Sequence, residues 1–376
     1  MTALRGRVIT RDNVLADAVV EIDGDRIAAV RDARPDDTVE PSDDLVLPGL
    51  VDLHCHGGGG AAFTVPDRAE VARAAAHHLG QGTTTMVASA VTDDPERMLA
   101  VVATLADAVT AGEIAAIHLE GPFLSAARCG AQDPTRMLPP DVGLAEALLD
   151  AGRGHVRVMT IAPELDGADA LADLLTERGV LVAVGHTDAS ATATERFLRD
   201  RAPALVTHLF NGMAPLHHRA PGAALGALAA ASRGAATVEL IADGVHLSDE
   251  TVAGVFALVG GPRVVLISDA MAAAGLGDGE HQLGPLATRV TDGVARLVDG
   301  DSIAGGTSRL LDVVRRQVRA GLDPVEVVAS ASCRPAALLG VDTEVGAVAP
   351  GLRADLVVLD QDWRPRRVMR GGDWVS

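Results

Sequence analysis

The stretch VLVAVGHTDAS, residues 180–190, is a short apolar run that stops at a histidine and gives way to small polar residues. The same texture recurs along the middle of the chain. Apolar runs stand at Leu50 to Leu53, Thr83 to Ala88, Ala115 to Leu119, Val156 to Ile161, Val180 to Val184, Ala204 to Thr207, Val238 to Ile241 and Val264 to Ile267. Ala- and Leu-rich helical stretches separate them, the alternation expected of βα units and a parallel sheet. Eight such repeats within about 220 residues fit a (β/α)8 TIM barrel better than a doubly wound sheet, whose strand count is usually smaller.

Polar residues fall where that reading needs them. His54 and His56, Glu120, Glu164, His186, His208, His246 and Asp269 each lie at or just beyond the C-terminal end of one of these runs. Barrel active sites are built at that face, so these side chains are expected to converge on one place.

The two ends read differently. LRGRVIT, AVVEIDGDRIAAV with its Asp23-Gly24 turn, and LVLPG predict short strands near the N-terminus. GAVAPGLRADLVVLD predicts strand, turn and strand near the C-terminus, with Pro350-Gly351 at the turn. A small discontinuous β-sandwich domain of residues 1–48 and 345–376 is therefore expected beside a catalytic barrel of residues 49–344.

At 376 residues with 48% hydrophobic content, the chain can bury a sizeable core. No apolar run approaches the roughly 18 residues that span a bilayer, and the N-terminal residues lack a signal-type apolar region, so no membrane association and a cytoplasmic location are expected. The formal charge of -19 argues against nucleic acid as a partner, and means that an anionic substrate needs a locally positive pocket. Cys55, Cys129 and Cys333 cannot all pair and show no CxxC spacing, which suits a reducing compartment. All 32 basic residues are arginine. Lysine chemistry is thereby excluded, including Schiff bases, P-loop phosphate binding and a carboxylated lysine bridging two metals.

His54-Cys55-His56 follows an apolar run, and a period of two places both imidazoles on one side of a strand, as a chelating pair for zinc or iron or as satisfied polar contacts. Glu120, in IHLEGPF, is an ionisable group on an apolar strand. It reads either as a buried partner of an arginine or as the anionic metal ligand that a lysine-free chain requires. His118 shares its face and is a candidate outer partner. His186 and His208 end successive runs and, with Glu120, form an N,N,O set that leaves a coordination position open for catalysis. Asp269, in VVLISDAM, could cap a helix or serve as the general acid/base beside a metal-bound water. His77, His78, His155 and His281 stand in helical or loop contexts without metal spacing, and a minor phosphate role is the most that His217 and His218 could have.

Taken in order, LPGLVDLHCHGGGG, HLEGPF, GHTDA, THLFNGM, IADGVH, SDAM and GLRADLVVLD resemble the N-acetylglucosamine-6-phosphate deacetylases of the amidohydrolase superfamily over nearly the whole chain. The resemblance implies metal-dependent hydrolysis of the acetamide of N-acetylglucosamine 6-phosphate to glucosamine 6-phosphate and acetate, in amino-sugar catabolism and cell-wall recycling. It implies a principal divalent metal on Glu120, His186 and His208, a second on His54 and His56 with Glu120 bridging, and Asp269 as general acid/base. One or two metals per subunit are expected, zinc first, with Fe2+, Co2+ or Mn2+ as alternatives. The implied substrate residues are Ala131, Gln132, Asn211, Gly212, Arg219, Asp243, His246, Ile303, Ala304 and Gly305. Arg219 is the expected phosphate ligand, since its fork geometry suits that oxyanion. A homodimer is implied as well, with Arg219 or His246 reaching a neighbouring subunit's pocket. The chain departs from the pattern at Gln132, where many members have histidine, and an amide donates a hydrogen bond without adding charge. A different amide substrate, cyclic or dipeptide, and a non-catalytic sugar-phosphate-binding protein are the rival readings.

Overall fold

The computed structural model describes residues 2–300 and 302–375. By mutual contact the chain forms two compact units, one of them made of Leu53–Ala75 and Met86–Arg309, the other of the segments that flank these.

Eight strands make the barrel: β1 (Leu50–Cys55), β2 (Thr83–Val91), β3 (Ala116–Glu120), β4 (Val156–Ile161), β5 (Leu181–Val184), β6 (Ala204–Val206), β7 (Ala236–Leu240) and β8 (Val264–Leu266). They lie in one sheet in chain order, and the pairings from β2 through β8 are parallel. The sheet closes where β8 runs on into Asp269 and Ala270. Asp269 N–H donates to the His54 carbonyl at 2.9 Å, and His56 N–H donates to the Ala270 carbonyl at 2.7 Å. The sequence-based runs coincide with these strands closely. The largest shift is at the end of β2, which continues from Ala88 to Val91.

Strands buried on both faces should read as continuous apolar runs, and all nine residues of β2 and all five of β7 are buried. Two of the crossover helices begin soon after the strand that precedes them. In the quoted stretch, Ser190 caps the helix Ala191–Asp200 by accepting from Ala193 N–H, and Ser248 does the same for Asp249–Val259 through Thr251 N–H. The loops that carry His186 and His246 are therefore short and pinned at their helix ends.

After β8 the chain adds a three-stranded antiparallel sheet, Gly279–Leu283, Leu286–Thr291 and Val294–Leu297, which the sequence reading did not foresee. Leu283, Val290 and Ala295 pack on Val91, Met271 and Ala304, so the added sheet borders the barrel mouth.

Both chain ends meet in a seven-stranded sheet. Leu45–Pro48 stands at its centre, antiparallel to Leu356–Leu359 on one side and parallel to Thr2–Ile9 on the other. Val8, Val20, Ile22, Val46, Leu356 and Met369 form its core. The expected strand ahead of Pro350 is absent: residues 346–355 form turns, with left-handed Gly346 and Gly351, and the C-terminal strands start at Leu356. Among the described residues no helix is long and apolar enough to cross a membrane.

Candidate metal centre and active site

Glu120 ends β3, His186 and His208 follow β5 and β6, and all three are buried. Glu120 Oε1 lies 3.0 Å from His186 Nε2 and 2.8 Å from His208 Nε2, and the two Nε2 atoms are 3.2 Å apart. Three lone-pair atoms thus face one point. The edge between two ligands around a tetrahedral zinc is roughly 3.3 Å, so this triangle has about the size that a divalent cation draws together. His54 and His56, both on or beside β1, form a second group with Glu120. Their Nε2 atoms are 3.0 Å apart, and His56 Nε2 is 3.3 Å from Glu120 Oε2. Two imidazole nitrogens at that separation cannot both keep protons without repulsion, whereas a shared cation satisfies both. The donor set of nitrogens and carboxylate oxygen fits a divalent metal at either group.

Outer contacts orient these rings. His56 Nδ1 lies 3.1 Å from the Ser89 carbonyl and His186 Nδ1 lies 2.9 Å from the Arg128 carbonyl, which turns each Nε2 lone pair inward. His118 does not reach Glu120. It sits instead in a buried chain, 3.0 Å from Ser89 Oγ and 2.8 Å from Thr160 Oγ1, with Thr160 bonded onward to Thr207. Burial, and then the nearby charge of His54, hold its pKa well below the ordinary histidine value, so it stays neutral beneath the centre.

Asp269, after β8, has Oδ1 3.2 Å from His56 Nε2 and 3.4 Å from His54 Nε2. Burial works against its charge, but the His54 charge and the His56 hydrogen bond outweigh it and hold Asp269 at about 2. Burial likewise opposes the imidazolium of His56, yet the hydrogen bonds of Asp269 and Glu120 push it up to about 9. Without a cation the histidine protons balance the two carboxylates, and a divalent cation held there would take their place.

His186, His208 and Asp269 share a backbone feature that no residue type announces: φ is 45°, 29° and 45°, the left-handed region uncommon for non-glycine residues. Strain of this kind gathers at functional sites because the surroundings hold it in place. Gly212 is part of that surrounding. A Cβ there would stand 2.8 Å from His186 Nδ1, and its own φ is 61°.

The centre opens into a cavity of about 250 Å³. Ala131, Gln132, Asn211, Gly212, His246, Ile303 and Gly305 line it. Gln132 accepts from Thr92 N–H at 3.0 Å, while its buried Nε2 has no partner. Three expected residues do not line the cavity. Ala304 is sealed in the packing under the added sheet. Asp243 is turned to His246 Nδ1 at 2.9 Å and to the N–H groups of Val245 and His246. Arg219 is exposed, with its guanidinium 2.7 Å from His218 Nε2. Glu164 also stays out, accepting from Thr187 Oγ1 and Asp188 N–H. Sequence reasoning missed Glu239, Leu283 and Ser302. Glu239 carried a usable signal, an acid inside the apolar run ATVEL, the same one that singled out Glu120.

The Asp243–His246 pair supports a pH prediction. Burial opposes the His246 imidazolium, but the Asp243 hydrogen bond and charge raise its pKa above the ordinary 6.5. A raised folded value contributes stability that is full below pH 6.5 and lost as pH rises through the folded midpoint. Asp243→Asn keeps the Oδ1 contacts and removes the charge, so the His246 midpoint should fall and that stability with it. Ring-proton NMR titration of His246 in both proteins checks this, and an unchanged midpoint would exclude the pairing.

The chain belongs to the amidohydrolase family, whose profile matches residues 45–375. It is 30% identical to an N-acetylglucosamine-6-phosphate deacetylase of Bacillus subtilis (strain 168), over 94% of this chain and 92% of that one. It is 31% identical to an N-acetylgalactosamine-6-phosphate deacetylase of Escherichia coli O157:H7, over 98% of each. Among solved structures, an aspartate-to-alanine mutant of the N-acetyl-D-glucosamine-6-phosphate deacetylase of Mycobacterium smegmatis, in complex with N-acetyl-D-glucosamine-6-phosphate, superposes with a TM-score of 0.95 at 43% identity, covering 100% of this chain and 99% of that one.

Proposed function

We propose that the chain hydrolyses the acetamide of N-acetylglucosamine 6-phosphate to glucosamine 6-phosphate and acetate. The observation that carries this reading is the meeting of Glu120, His186 and His208 at one point, with Asp269 Oδ1 beside the neighbouring histidines and a cavity above. The deacetylase relatives support the substrate class. Zinc is the proposed ion, with the principal site on Glu120, His186 and His208 and a second on His54, His56 and Glu120. A divalent ion held by these residues would supply Lewis-acid chemistry, polarising the acyl oxygen and acidifying a bound water from a pKa of 15.7 to about 7.

The chain's own groups do the rest. Asp269 takes the proton of the attacking water and returns it to the amide nitrogen as the C–N bond breaks. Gln132 Nε2, buried and unpartnered, is the donor proposed for the acyl oxygen or a sugar hydroxyl. His246, its Nδ1 engaged by Asp243, offers Nε2 to the substrate. Ala131, Asn211, Gly212, Ile303 and Gly305 are proposed to border the sugar. No arginine lines the cavity among the described residues, so a phosphate needs its strongest partner from elsewhere. Arg219 of a second copy in a cytoplasmic homodimer is the proposed supplier. The working unit for this chemistry is the proposed catalytic domain, residues 49–344, with residues 1–48 and 345–376 as the small β domain.

The direct test is acetate release from N-acetylglucosamine 6-phosphate by purified protein, before and after chelation and with Zn2+ added back. Release that survives complete removal of metal refutes the proposal. Replacing Arg219 separates this substrate from other amides: Arg219→Ala should raise KM for the phosphorylated sugar much more than for its dephosphorylated analogue. Mixing Arg219→Ala with Asp269→Asn subunits should restore part of the activity if the arginine is supplied across a dimer.

A further inference from the structure

We infer that Glu239 is a positioning residue that couples the two metal subsites, an inference that rests on the metal reading proposed above. Glu239 stands on β7 and is 1% exposed. A carboxylate so deeply buried is costly unless donors surround it. Its Oε2 lies 3.3 Å from His54 Nδ1 and accepts from the His208 backbone N–H at 3.2 Å. The first contact belongs to the His54, His56 and Glu120 group, and the second to a member of the Glu120, His186 and His208 group. One oxygen therefore touches both.

Each contact has a separate consequence. A neutral imidazole carries one proton, and a carboxylate at Nδ1 keeps it there, so His54 presents its Nε2 lone pair toward His56 and Glu120. That Nε2 is 3.0 Å from His56 Nε2. His208 is anchored differently from the other ligands. His56 and His186 hold their rings through Nδ1 to backbone carbonyls, whereas His208 Nδ1 is buried without a partner. What holds His208 is its backbone, at φ 29°, through the N–H that Glu239 accepts. Loss of the Glu239 charge therefore frees the His54 tautomer and loosens the His208 turn together.

The test is Zn2+ affinity by chelator-competition titration of the full chain, wild type against Glu239→Gln, with the melting temperature of each metal-free protein measured alongside. Glu239→Gln should bind Zn2+ about 10- to 100-fold more weakly, the effect typical of losing an outer partner of a metal ligand. Equal affinities, at whatever stoichiometry, overturn the inference, and a lowered melting temperature with equal affinities assigns Glu239 a structural role only. Wild-type protein that takes up no Zn2+ refutes the metal centre itself and this inference with it. Should Glu239→Gln not fold, nitrogen NMR of the wild-type histidines decides, with the His54 signals assigned through His54→Gln. A protonated Nδ1 at His54 is the expected state, and an unprotonated Nδ1 overturns the inference.

Discussion

Glu120→Gln should leave the protein folded, strip it of tightly bound metal and take acetate release to background. Glu120 contributes Oε1 to His186 and His208 at 3.0 and 2.8 Å, and Oε2 to His56 at 3.3 Å. It is the carboxylate common to both candidate groups. Burial opposes its charge, but His54, His186 and His208 hold it well below the ordinary carboxylate range, so it meets a cation ionised. Glutamine has nearly the same volume, which preserves the packing at the end of β3. Its amide oxygen is a weaker ligand and its amide nitrogen, if turned inward, repels a cation outright. The chain has no lysine that could be carboxylated as a substitute. Losing an outer partner already costs about 10- to 100-fold in metal affinity, and losing the shared ligand should cost more than the upper end of that range. Elemental analysis after dialysis, circular dichroism and an acetate assay check the three parts of this expectation. Full metal content in Glu120→Gln would remove the residue from the centre.

Much of this was legible in the sequence, and the reason is geometric. A strand buried on both faces rarely carries an ionisable side chain unless it has partners there or serves the barrel mouth. Glu120 at the end of IHLE and His186 after LVAV therefore stood out against their apolar neighbours. Strand order followed because sequential βα units place each strand next to the last. The outer shell was harder to read. Ser89, Thr160 and Thr207 are ordinary small polar residues whose importance comes from meeting His118 across strands far apart in sequence. The left-handed turns at His186, His208 and Asp269 were invisible too, since only glycine advertises that conformation. Arg219 was legible as a phosphate-type residue, with a reach into a neighbouring subunit's pocket implied for it or for His246, and it lies outside its own chain's cavity. A motif fixes residue type without fixing which copy of the chain a side chain serves.

Asp269→Asn should lower turnover by about 10²- to 10⁴-fold, the loss typical of removing a general acid/base, while metal content and KM stay close to wild type. At 1.36 kcal/mol per decade this is about 2.7–5.4 kcal/mol of transition-state stabilisation. The residue is held in place by its backbone: its N–H donates to the His54 carbonyl at 2.9 Å, and its carbonyl accepts from Gly306 N–H at 2.6 Å. Its φ of 45° is a conformation that asparagine tolerates better than most residues, so the substitution leaves the turn standing. What changes is the proton chemistry. The carboxylate is held at about 2, hence ionised at neutral pH and able to accept a proton at Oδ1, whereas an amide oxygen does not accept one in this range. The same atom is 3.2 Å from His56 and 3.4 Å from His54, beside the residues that would hold a metal, where it could accept a proton from a water entering the cavity. A pure ligand role would instead appear as lost metal with turnover recovering as metal is raised. Steady-state kinetics at saturating Zn2+ separates the two: a fall in kcat that no excess of metal repairs is the expected result, and an unchanged kcat would take Asp269 out of the proton path.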